Sequence, residues 1–184
     1  MAITNKYDDL HENWMVEEHE NVISELLASY NLQSTIVEIG SWKGRSAIFM
    51  LKKNEYIKLN CFDIWPNKTK QYFKNNLFKY DFLNRVNIIE DKSINIKKYF
   101  KKESIDFIYL DACHKEESVY WDLLECFPLL KKDGLLLGDD WQKKQVQKAV
   151  MRVIQQNIYD LLWTKDYTFL LKIKSKKSFL NLLL

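Results

Sequence analysis

The sequence predicts an α/β fold in which a mostly parallel central sheet carries helices on both faces and a C-terminal antiparallel hairpin closes it. Three observations predict this. Short apolar runs recur along the chain with helix-length amphipathic stretches between them. The runs lack the alternation of a sheet with one wet face, so both faces need cover, which is how parallel sheets are buried. The last two runs, Leu161–Trp163 and Phe169–Ile173, have no helical stretch between them and read as a hairpin.

Glu17–Tyr30 sets Val22, Ile23, Leu26, Leu27 and Tyr30 at helical spacing, and Ile36, Val37 and Ile39 then form a short buried run ending at Gly40. Further strands are predicted at Leu59–Phe62, Val86–Ile89, Ile105–Leu110 and Leu135–Leu137. Helices are predicted between them over Ser46–Lys53, Lys70–Tyr80, Ile94–Lys101 and Glu116–Leu130, the last with Val119, Leu123, Phe127 and Leu130 on one face. Gln145–Asn157 adds another helix. All four glycines are expected directly after strands or at the turn before one, as backbone devices. No repeat is visible. The chain reads as a single domain, 1–184, with an N-terminal helical segment over 1–34, a core over 35–174 and a tail over 175–184.

Composition agrees. The 184 residues include 47% apolar and 14% aromatic side chains, enough for one sizeable core. Glycine and proline together number six, against a usual ~12% of residues, which excludes collagen-like and linker-rich chains. No apolar run approaches the ~18 residues of a membrane span, and Met1–Leu10 lacks the features of a signal peptide, so a cytoplasmic protein is expected. Cys61, Cys113 and Cys126 form an odd set with no Cys-x-x-Cys pair, suggesting neither a disulfide framework nor a zinc knuckle. Of 28 basic residues only Arg45, Arg85 and Arg152 are arginine, which argues against nucleic acid as a partner. The tail Ser178–Leu184 is apolar and follows Lys172, Lys174, Lys176 and Lys177. It reads as a docked or frayed terminus, or as a contact for a membrane or a second subunit.

The chemistry is expected at the carboxyl ends of the strands. In open α/β sheets ligands lie there, where the strand order reverses. Val37-Glu38-Ile39-Gly40-Ser41-Trp42-Lys43-Gly44-Arg45-Ser46 takes a buried strand through a glycine loop into a helix and lets a ligand approach the main chain. It is neither Gly-x-Gly-x-x-Gly nor a P-loop. The second strand closes on Asp63, a carboxylate able to accept ribose hydroxyls. The third runs into Glu90-Asp91-Lys92-Ser93, where a base edge could be met or Ser93 could simply cap a helix. Two more strands end in Asp111 and in Gly138-Asp139-Asp140. Three converging carboxylates need compensation: a hard divalent cation neutralises them, or one points away and caps the following helix. Cys113 beside His114 is expected to be an inert thiol, and His11 and His19 to be solvated. Trp65 and Trp141 follow the site carboxylates and read either as an aromatic wall for a sulfonium or as packing beneath the loops.

Together these motifs, with Asp63-Ile64-Trp65 and Asp111-Ala112-Cys113-His114, make Trp14 to about Lys174 resemble class I S-adenosylmethionine-dependent methyltransferases, in their metal-dependent, macrocin-type O-methyltransferase branch. The resemblance implies a Rossmann-like fold. It implies that the Gly40–Gly44 loop holds the methionine part of the cofactor, that Asp63 takes the ribose, and that Asp91 and Ser93 lie by the adenine. Glu38, Ser41, Trp42, Ser46, Trp65 and Asp111 complete the expected cofactor set. Asp111, Asp139 and Asp140 are the implied ligands of Mg²⁺, or of Mn²⁺ or Ca²⁺. Relatives often carry an aspartate where this chain has Cys113, and a tyrosine where it has Glu116.

The expected activity is thus metal-assisted methylation of a hydroxyl on a small molecule, a sugar or glycosylated metabolite, with His114 and Asp111 as catalytic residues. His114 lies three residues beyond Asp111, within reach of a metal-bound hydroxyl. The thin cover over the site suggests a homodimer. Rival readings are a cofactor-binding accessory domain without turnover, supported by Cys113 and Glu116, and a metal-dependent phosphoester hydrolase using the same acids.

Overall fold

A computed structural model describes residues 17–165 and 167–174. Helices are α1 (Glu17–Leu27), α2 (Arg45–Lys53), α3 (Thr69–Lys79), α4 (Glu116–Cys126) and α5 (Lys144–Gln155). Strands are β1 (Ile36–Ile39), β2 (Leu59–Asp63), β3 (Val86–Glu90), β4 (Ile105–Leu110), β5 (Leu130–Gly138), β6 (Tyr159–Lys165) and β7 (Thr168–Ile173). They form one sheet in the order β3-β2-β1-β4-β5-β7-β6. The first five strands are parallel and β7 is antiparallel to both β5 and β6. The order reverses between β1 and β4, whose register pairs Ile39 with Leu110. The residues just beyond those two therefore flank a crevice.

Successive strand residues point to opposite faces, and the core divides accordingly. Ile36, Phe107 and Tyr109 pack with α1, α2 and α3, whereas Val37, Ile108 and Leu110 pack with α4 and α5. Both faces are covered, as the apolar runs require. No helix among the described residues is long and apolar enough to cross a membrane.

Four details differ from expectation. The helix predicted over Glu116–Leu130 stops at Cys126, because Pro128 has no N–H for the ladder, and Leu130 already belongs to β5. Gly134, expected in a turn, lies inside β5, where the pairing with β4 shifts register. The stretch predicted as helix over Ile94–Lys101 is a short 3₁₀ segment, Ser93–Lys98. Its cap is Lys92, so Ser93 is not a capping residue. The expectations for the tail, for His11 and for the segment before residue 17 lie outside the described residues, as does the side chain of His19.

Candidate active site

The loop after β1 is built around two left-handed glycines. Gly40 has φ +95°, and its N–H bonds the Phe62 carbonyl at 2.8 Å. A Cβ there would run into the main chain of Asp111 and Ala112, so the glycine lets the ends of β1 and β4 touch. Gly44, at φ +89°, opens α2 and leaves room for the Phe73 ring. Beneath the loop, Ser46 Oγ donates to Glu38 Oε1 at 2.5 Å, with Ser41 and Cys61 flanking the carboxylate. Burial raises the pKa of Glu38, and Ser41 and Ser46 oppose the rise. Glu38, Ser41 and Ser46 are buried and support the loop from below.

Asp63 joins this loop to the next. Its Oδ2 accepts the Trp42 N–H at 2.7 Å and its Oδ1 accepts the Trp65 N–H at 2.8 Å. Trp65 Nε1 in turn donates to the Trp42 carbonyl at 2.7 Å. The Trp65 ring is buried against Phe73, and Trp141 packs on Phe169. Both tryptophans therefore take the packing role. Trp42 stands on the wall of the crevice, as does Trp121 from α4.

The crevice is a cavity of about 740 Å³. Gly40, Trp42 and Asp63 form one part of its wall, and Asp111 and His114 another. Asp91, Ser93, Trp121 and Asp122 close a third side. Asp91 accepts bonds from the Lys92 N–H, Asn95 and Tyr99, and the Asn95 bond leads in holding its pKa low. Cys113 is exposed on the wall.

At the β4 and β5 ends the carboxylates part ways. Asp111 is pushed up to about 8 by burial and by the charges of Asp139 and Asp140. Asp139 turns to Tyr109, whose hydroxyl donates to Oδ2 at 3.1 Å, and to the Asp140 N–H at 2.6 Å. Asp140 Oδ2 pairs with His114 Nδ1 and with Lys143 Nζ, the latter at 2.8 Å. Burial alone would raise Asp140, but these two partners hold it down at about 2. The same contact raises His114. Neither carboxylate caps α5, whose N-cap is Lys143 without a side-chain bond. Asp111, His114 and Asp140 each offer a ligand atom within 4.8 Å of the others, a group that could hold a metal ion. His114, which the sequence marked as a base, thus stands among the possible donors, and Asp139 stands beside them.

Sequence reasoning missed Ser118, Trp121 and Asp122 on the cavity wall. Their i, i+3, i+4 spacing on α4 was the available signal.

A reversed strand order with a cavity at its crevice, floored by a glycine loop and an aspartate at the end of β2, defines a class I S-adenosylmethionine methyltransferase architecture. The chain belongs to the methyltransferase-domain family, whose model matches residues 37–141, more than half of its length. It is similar in structure to a provisionally named caffeoyl-CoA O-methyltransferase from Staphylococcus aureus, at 24% identity and TM-score 0.70, over 87% of this chain and 84% of that one. An S-adenosylmethionine-dependent O-methyltransferase from Thermotoga maritima is similar at 14% identity and TM-score 0.68, over 93% and 72%. A Podospora anserina methyltransferase bound to S-adenosylhomocysteine is similar at 20% and 0.65, over 77% and 72%. No curated protein matches the sequence significantly.

Proposed function

We propose that the protein transfers a methyl group from S-adenosylmethionine to a hydroxyl of a small molecule, a sugar or glycosylated metabolite, with the assistance of a divalent cation. One observation carries the reading: Asp111, a possible metal ligand, and His114, paired with Asp140, stand on the wall of the cavity that Gly40, Trp42 and Asp63 also line. A cofactor site and a polar reaction site thus share one space.

In this reading the main chain of the Gly40–Gly44 loop binds the methionine end. Asp63 takes the ribose hydroxyls on the lone pairs its two N–H donors leave open. Asp91 and Ser93 border the base. Glu38, Ser41, Ser46 and Trp65 hold the loop in shape. Asp111, Asp139 and Asp140 would hold Mg²⁺, or Mn²⁺ or Ca²⁺ in its place. A cation bound there supplies Lewis acidity that lowers the pKa of an acceptor hydroxyl. His114 keeps its Nδ1 against Asp140, so Nε2 is the atom left to take the hydroxyl proton.

The test is the mass of products formed with S-adenosylmethionine, Mg²⁺ and a panel of hydroxylated metabolites. Addition of one methyl group (about 14 Da net) to an acceptor, with S-adenosylhomocysteine released, is expected. Cofactor binding without a methylated product from any acceptor would favour an accessory domain instead. Phosphoester cleavage without cofactor binding would favour a hydrolase.

A further inference from the structure

We propose that Asp122 selects the cofactor's base by accepting a hydrogen bond from the exocyclic amino group of adenine. The proposal rests on the cofactor reading of the cavity. Asp122 is only 4% exposed, yet it lies on the cavity wall with Ser93 and Trp121. Among the described residues it forms no ion pair. Lys97, on the adjoining 3₁₀ segment, is committed to Glu125 at 2.8 Å. The hydroxyl of Ser93 is its hydrogen-bond partner, and burial, with Glu125 nearby, pushes its pKa up to about 6. A carboxylate offers about four acceptor positions and no donor, so one hydroxyl leaves most of them unused. Buried acceptors of this kind call for a ligand that donates.

Position decides which part of the ligand donates. The methionine end and the ribose are accounted for by the Gly40 loop and Asp63, on the β1 and β2 side of the cavity. Asp122 closes the side formed by α4 and the segment after β3. There Ile94 and Trp121 present apolar surface, 44% and 49% exposed, and Ile64, next to Asp63, presents its own, 56% exposed, to the same cavity. A planar base between such side chains turns its edge, and its amino group, toward Asp122 and Ser93. A 6-oxo base would set an acceptor against an acceptor.

The experiment compares affinity for S-adenosylhomocysteine with affinity for its 6-oxo analogue, S-inosylhomocysteine, by isothermal titration calorimetry. The wild-type protein should prefer the amino form by about thirtyfold. Asp122→Asn, whose amide can donate to the oxo group, should reduce that preference to about threefold or less. Asp122→Ala removes the acceptor without adding a donor, and should weaken S-adenosylhomocysteine about tenfold while sparing the analogue. Equal wild-type affinity for the two ligands, or an unchanged preference in both variants, overturns the Asp122 assignment alone. Binding of neither ligand by the wild type overturns the methyltransferase reading along with it.

Discussion

The peptide N–H of Trp42 donates to Oδ2 of Asp63 at 2.7 Å, so the loop after β1 hangs on the last residue of β2. The return bond from Trp65 to the Trp42 carbonyl fixes that peptide on its other side. Asp63 therefore has two tasks: it shapes the cofactor loop and it faces the cavity. Asp63→Ala removes the acceptor of two N–H groups and should lower stability by on the order of 3 kcal/mol in urea unfolding, while also weakening S-adenosylhomocysteine. Asp63→Asn, which keeps one acceptor oxygen, should fall between the two. An alanine variant of wild-type stability would show that the loop is held by other means.

Gly40→Ala should be more damaging than its size suggests. The residue sits at φ +95°, and the added Cβ meets the Asp111 main chain, which cannot swing aside like a side chain. A loss of about 2 kcal/mol or more is expected, together with weakened cofactor binding as the β1 and β4 ends separate. Urea denaturation of the variant, with and without S-adenosylhomocysteine, measures both effects.

Asp122 also predicts a pH dependence of folding. Its pKa is raised from 3.8 to about 6 in the folded state, so the folded protein holds this proton more tightly than the unfolded chain. That contribution to stability is full below about pH 4 and is lost as pH rises through about 6. At pH 7 the unliganded Asp122→Asn protein should thus exceed the wild type by up to about 3 kcal/mol, with the advantage vanishing toward pH 4. Melting curves across that range check it. A constant difference at all pH values would assign the effect to packing.

The carboxylate end separates metal binding from proton transfer. Chelation should abolish turnover without loss of S-adenosylhomocysteine affinity, and Asp111→Asn or Asp140→Asn should weaken Mn²⁺ binding at least tenfold by calorimetry. His114→Ala should cut turnover by on the order of 10²-fold while leaving both affinities within about twofold. A large loss of Mn²⁺ affinity in that variant would make His114 a ligand rather than the base.

Much of this was legible because it is local. The β1 run leading into Gly40, the aspartate that ends β2 and the apolar strands leading into Asp111 and Asp139 are consecutive residues whose types state their roles. What was not legible depends on parts of the chain distant in sequence. Asp122 sits at the edge of the apolar face of α4, and its burial depends on the Ser93–Lys98 segment, which packs against that helix and brings Ser93 to it. The pairing of His114 with Asp140 joins two loops, which no spacing reveals. Trp65 and Trp141 were ambiguous for the same reason, since adjacency to an aspartate does not say which way a ring turns. The place of β7 between β5 and β6 is likewise a property of the assembled sheet.

The most direct measurement is a thermal melt with S-adenosylmethionine, S-adenosylhomocysteine or NAD present. A ligand at ~100 times its dissociation constant stabilises the folded state by about 2.7 kcal/mol, enough to shift the melting temperature by several degrees. The first two compounds should produce that shift and NAD should produce none. A shift with NAD and none with either methionine compound would contradict the assignment of this cavity.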